Sequence, residues 1–129
     1  MKRETFLLIA AIGQLFSGIF FLFFSEMAAS QMLNETTDSV LLFEKNIGIF
    51  SIAFGLITFL SRKSPDTTAL KAVFIGTLFY LIGSVSIDTY GVLKGTFSSA
   101  GWGGIVVRLL FIAGYFYYLS KMKIDQAIK

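Results

Sequence analysis

Four long apolar runs, separated by short polar stretches, organise this chain: Phe6–Phe24, Val40–Leu60, Ala69–Ile87 and Ile105–Leu119. A helix needs about 20 apolar residues to cross the hydrocarbon of a bilayer. With their flanks, the runs predict spans at about 5–25, 40–61, 68–89 and 102–120. A helix satisfies its own backbone hydrogen bonds, as a lipid-exposed segment must. The pattern therefore predicts an all-α integral membrane four-helix bundle, one domain over residues 1–129.

A second pattern lies inside the runs. In the second, Glu44, Gly48, Ser51, Gly55, Thr58 and Arg62 recur three or four residues apart, which places them on one helix stripe. Phe43, Ile47, Phe50, Phe54 and Ile57 occupy the other side, suited to lipid. Small residues on a stripe let helix backbones approach, and polar ones bond across the contact. Weaker stripes are Ala10, Gln14, Ser17 and Gly18; Gly76, Tyr80 and Gly83, with Thr77, Ser84 and Asp88 beside them; and Gly101, Gly104, Arg108 and Tyr115. Gly48, Ser51, Gly55, Gly76, Gly83 and Gly104 are accordingly read as helix-packing positions.

The connections are uneven. "SRKSPD" is short; Pro65 discourages helix and Asp66 or Thr67 can cap the next one, so spans two and three are expected to form a tight antiparallel hairpin. "SEMAASQMLNETTDS" is long enough for a short interfacial helix, with Met27, Met32 and Leu33 as its apolar contacts. "GVLKGTFSSAGWGG" is glycine-rich and shows no evident fixed structure. Asn34-Glu35-Thr36 is a formal glycosylation sequon, relevant only in a eukaryotic host.

Composition agrees with the membrane reading: 55% of residues are hydrophobic, 15% are charged, and the mean hydropathy is +0.75. The first apolar run, 19 residues after Lys2 and Arg3, exceeds the roughly 7–15 of a signal-peptide core and is read as a retained span. The basic residues flank spans instead of forming a nucleic-acid patch. Lys2, Arg3, Arg62, Lys63, Lys71, Lys121, Lys123 and Lys129 fall on one side, whereas the opposite loops carry only Lys94. That bias predicts both termini in the cytoplasm. With neither Cys nor His, the chain lacks disulfides, thiolate chemistry, the common zinc sites and ordinary haem ligation. No cofactor and no metal site is expected.

Charged residues inside spans carry the remaining signal, because each costs about 2.5–3.5 kcal/mol at mid-membrane on insertion scales. Arg108 lies about one turn outside the middle of the fourth span and Glu44 roughly 10 Å up in the second, with Asp88 higher in the third. Arg108 is expected to meet Glu44, with Asp88 as a second acceptor, while Asn46 or Ser84 completes the hydrogen bonding. Lys45 is free to snorkel outward. Two readings stay open. The cluster is a salt bridge that fixes helix register, or it is an outward-facing polar pocket for an anionic headgroup, a small solute or a proton.

The stretches "EKNIGIFSIAFGLITFLSRKSPD" and "GSVSIDTYGVLKG", followed by an aromatic-ended last helix, resemble the DoxX-like group of small bacterial four-helix membrane proteins. The resemblance covers most of the chain after the first span and rests on spans, glycines and loop lengths. It implies a multi-pass protein of the bacterial cytoplasmic (inner) membrane, in a group linked to quinone-coupled sulfur oxidation or oxidative-stress complexes. It transfers no catalytic residue. Small multidrug exporters fit less well, since they depend on a first-span carboxylate where this chain has Gln14.

The function expected is therefore non-enzymatic: binding of a lipid, small ligand or partner subunit through the polar cluster. The alternative is a small proton-coupled transporter using Glu44, Asp88 and Arg108. Against a carrier, the spans contain no Pro and the halves show no inverted repeat. An enzyme acting on lipids would want more acids than two carboxylates sharing one arginine. The partners expected are the bilayer, a membrane subunit or a second copy of the chain, and no nucleic acid.

Overall fold

The computed structural model describes residues 1–34 and 36–123. Glu35 of the sequon and Lys129 of the basic flank lie outside the described residues. Five helices form: α1 (Arg3–Phe23), α2 (Ser25–Met32), α3 (Asp38–Ser61), α4 (Thr68–Leu93) and α5 (Gly101–Lys121). Four of them, α1, α3, α4 and α5, are long and apolar enough to cross a membrane. The molecule is an all-α bundle of four spans with the short α2 laid across one end.

Local chemistry sets the helix ends. The Thr37 hydroxyl accepts from the Val40 N–H and the Thr67 hydroxyl from the Leu70 N–H, which caps α3 and α4. Asp66 is not a cap. It pairs with Arg3 and accepts from the backbone N–H of Lys123, 3.1 Å away. At Phe24 the backbone leaves helical geometry (φ −121°, ψ 36°), yet the Phe24 and Ala28 N–H groups still find carbonyls one turn back. The chain therefore bends from α1 into α2 with both of these donors bonded.

The tightest seam joins α1 to α3, antiparallel. A β-carbon on Gly48 would lie 2.8 Å from the Gly18 carbonyl oxygen, and one on Gly18 would lie 2.8 Å from that of Gly48. Gly55 receives the Leu15 side chain in the same way. This corrects the expectation that spans two and three form a tight hairpin. The loop does join α3 to α4, but the small-residue stripe of α3 is spent on α1, and α4 packs chiefly on α5. The two pairs meet at the end of the molecule that holds both described termini. There Phe6, Leu7 and Ala10 of α1 pack with Leu70, Phe74, Leu78 and Leu81 of α4 and with Tyr115 of α5. The Phe6 ring fills the place a Gly114 side chain would take.

The same end is stapled by polar contacts. Arg3 bonds Asp66 and donates to the Ser64 carbonyl at 2.6 Å, and the Tyr118 hydroxyl donates to the Met1 carbonyl at 2.6 Å. Both described termini and the α3–α4 loop thus share one side, which is the side of the basic residues.

The opposite end is not loose, contrary to the reading of residues 91–104. Gly95 adopts φ +74°, a left-handed conformation that glycine takes without strain. It closes α4 with Thr96 N–H to Gly91 C=O and Gly95 N–H to Val92 C=O. The following residues then pair with the end of α2. Leu33 and Phe97 form an antiparallel bridge; the Asn34 N–H donates to Thr96 C=O and the Ser98 N–H to Met32 C=O. The Asn34 side chain donates to Gly95 C=O and the Ser98 hydroxyl to Gln31 C=O. These bonds clasp α2 to the α4–α5 loop.

Candidate functional site

Arg108 lies on α5 at the edge of a cavity of about 300 Å³. Every helix contributes to the wall: Gln14, Ser17 and Phe21 from α1, Met32 from α2, Ser51 from α3, Tyr80 and Leu81 from α4, and Gly104, Val107 and Phe111 from α5. The lining is mainly apolar, with a few polar groups at set positions, as ligand sites commonly are. The Tyr80 hydroxyl lies 3.0 Å from the Ser51 hydroxyl, and its ring stacks on Phe54 with centroids 4.8 Å apart. Farther in, the fully buried Thr58 donates to Gln14 Oε1 at 3.4 Å and lies 3.5 Å from the Tyr115 hydroxyl. Two separate polar groups, Ser51 with Tyr80 and Gln14 with Thr58 and Tyr115, thus lie within the bundle.

Arg108 pairs with Asp88 across α4 and α5. The pair joins two helices in a part-buried position, where the lower dielectric strengthens it. Bonding through one nitrogen, Arg108 makes no other protein hydrogen bond among the described residues. The guanidinium lies beside the α5 backbone, its Nη1 3.5 Å from where a Gly104 β-carbon would sit, an ordinary contact distance.

Glu44 does not join this pair. Its residue is only 8% exposed, it makes no ion pair among the described residues, and its Oε2 is buried without a hydrogen-bond partner. The reason lies in the α3 stripe. Because that stripe faces α1 at Gly18 and Leu22, Glu44, one turn farther out, comes level with the α1–α2 elbow and away from α5. Sequence spacing identified the face correctly but not the helix that the face meets.

The two expected helpers also bond elsewhere. The Asn46 amide donates to Leu42 C=O at 3.2 Å and the Ser84 hydroxyl to Tyr80 C=O at 2.9 Å, each within its own helix. Lys45 is exposed and borders a groove at the α1–α2 elbow with Glu26 and Phe24. Of the six packing positions, Gly48, Ser51 and Gly55 are buried on the α3 stripe. Gly76 and Gly83 meet nothing within 4 Å of a would-be β-carbon, so neither serves helix packing within this chain. A β-carbon on Gly104 would make only ordinary contacts, with Arg108 and Met32.

Gln14, Ser17 and Tyr80 stood out in the sequence only as stripe members, and Phe21 and Phe111 not at all. They became cavity residues through the way the five helices pack around one space, which no spacing rule encodes. Among the described residues, no group of three or more acidic side chains is placed to hold a metal ion.

Residues 2–121 match the model of DUF6790, a family of unknown function, and the chain belongs to that family. No curated protein and no solved structure matches it.

Proposed function

We propose that this family member is a non-enzymatic membrane protein that binds a small ligand or lipid headgroup in the Arg108 cavity. One observation carries the reading. A guanidinium offers five N–H donors, Asp88 engages one nitrogen, and Arg108, part-buried, lines the cavity with no other protein partner among the described residues. Donors in a low-dielectric setting are costly without acceptors. A carboxylate, phosphate or carbonyl oxygen in the cavity answers them. The Ser51–Tyr80 hydroxyl pair provides further polar contacts at the inner end. The charge distribution and the DoxX-like resemblance support a bacterial inner membrane with both termini cytoplasmic. Cysteines at positions 64 and 98 test the sidedness. An impermeant maleimide applied to intact cells should label Ser98→Cys and spare Ser64→Cys; the reverse would overturn it.

Native mass spectrometry from mild detergent tests the binding. Wild-type protein should retain a small-molecule adduct, and Gly103→Leu should lose it. Gly103 lines the cavity and a β-carbon there meets nothing within 4 Å, so the larger side chain fills ligand space and not core. No adduct on either protein, or equal adducts on both, would end the reading.

A proton-coupled carrier is the second reading, and the buried, unpartnered Glu44 favours it. The separation of Glu44 from Arg108 and Asp88 takes away the shared site that such a carrier would use. Glu44→Gln separates the two. Binding predicts an unchanged adduct and an unfolding temperature no lower than wild type, since a neutral side chain is less costly to bury than a charge. Transport predicts loss of proton-coupled uptake in liposomes.

A further inference from the structure

We propose that the cavity is loaded sideways from the outer leaflet, through the gap between α1 and α5, by an amphiphile with an oxygen-acceptor head and an apolar tail. The inference rests on the binding reading above and adds the ligand class and the route. The walls are asymmetric. The deep side is closed by Ser51 and Leu81, both buried, whereas the exposed lining residues are Gly13 on α1 and Gly103 and Val107 on α5. Phe6 ties α1 to α5 at the inner end by seating in the Gly114 notch. Phe111 touches the α1 backbone at Gly13, 3.7 Å from where a β-carbon would lie. The exposed lining residues thus put the open side of the cavity at the α1–α5 boundary.

At the α2 end of the cavity Met32 stands in the way. Met32 is the last residue of α2, and its methyl group lies 3.8 Å from where Gly104 would carry a β-carbon. It is held there by the clasp, in which the Ser98 N–H bonds the Met32 carbonyl at 2.7 Å. A water-soluble solute would have to break several backbone and side-chain bonds to enter from above. A lipid-dissolved molecule meets no such barrier. Its tail would lie against Val107, Phe111 and the exposed Gly13 backbone, and its head would reach Arg108.

The experiment locks the clasp. Leu33 and Phe97 face one another in an antiparallel bridge, a spacing that suits a disulfide, and the chain has no native Cys. Leu33→Cys/Phe97→Cys is reconstituted in phosphatidylcholine vesicles with a photoactivatable palmitate, or with the butyrate analogue carrying the same carboxylate head. Lateral loading predicts that the palmitate probe labels oxidised and reduced protein alike and that butyrate labels neither. Labelling that vanishes on oxidation and returns on reduction, or butyrate labelling that matches palmitate, overturns the route. Val107→Trp leaves the clasp intact and provides an independent reading. It should cut palmitate labelling about tenfold by overfilling the mouth; undiminished labelling would refute the α1–α5 entrance even if the double variant misfolds. If wild type takes up neither probe in vesicles, the ligand class is overturned; the native-mass adduct then reports separately whether any ligand is bound.

Discussion

Gly48 and Gly76 are the same residue type in neighbouring spans, yet the structure uses them oppositely. At Gly48 the backbone of α1 passes so closely that a side chain has nowhere to go, whereas Gly76 borders open space. Gly48→Leu should therefore destabilise the bundle by at least about 3 kcal/mol, a backbone clash being costlier than ordinary overpacking. Gly76→Ala should be neutral or gain up to about 1 kcal/mol from helix propensity. Titration with SDS, followed by circular dichroism, distinguishes the two. An equal response at both positions would show that the α1–α3 seam is not the tight contact described. The glycine stripe of α3 was legible because helical periodicity fixes which residues share a face. The contrast between Gly48 and Gly76 was not, because spacing says nothing about what stands opposite. Gly114 escaped the sequence reading for the same reason: its role exists only because Phe6, over a hundred residues earlier in the chain, lands on it.

Arg108 and Asp88 act as a cross-link between elements. Removing one partner strands the other charge in a partly buried site, whereas replacing both removes the problem altogether. Asp88→Ala should lower stability by about 3 kcal/mol. The double variant Asp88→Leu/Arg108→Met should recover most of that loss in the same SDS titration, yet bind no ligand by native mass spectrometry. A double variant as unstable as the single one would mean that the pair does more than neutralise charge. At this scale the spans were readable to within a few residues, since length and hydropathy are local properties. The interfacial helix was readable too. The clasp was not: its bonds join residues more than sixty positions apart, and the glycine-rich loop that holds its second half read as having no fixed structure.

As a whole, the molecule consists of two helix pairs, α1 with α3 and α4 with α5, joined by an apolar core at the terminal end and by the α2–loop clasp at the other. That shape explains how one chain is both a packed bundle and a host for a cavity. The terminal half supplies the core of Phe6, Phe74 and Tyr115, while Gly13, Gly103 and Gly104 bring no side chain to the cavity wall. The general architecture was legible in the sequence because charge bias and apolar runs suffice for it. The location of the cavity was not, since it depends on the way the helices pack around one space. The expected Glu44–Arg108 contact failed for a related reason: both residues were set at suitable depths, but depth alone does not choose a neighbour.

The glycine seam also bears on how the protein is made. Synthesis delivers α1 to the bilayer before α3 exists, and α2 separates the two in the chain. The first span must therefore wait among lipids with its close-packing groove at Gly18 uncovered until the third helix is threaded back alongside it. The shortness of α2 and its bend at Phe24 keep the waiting partner within reach.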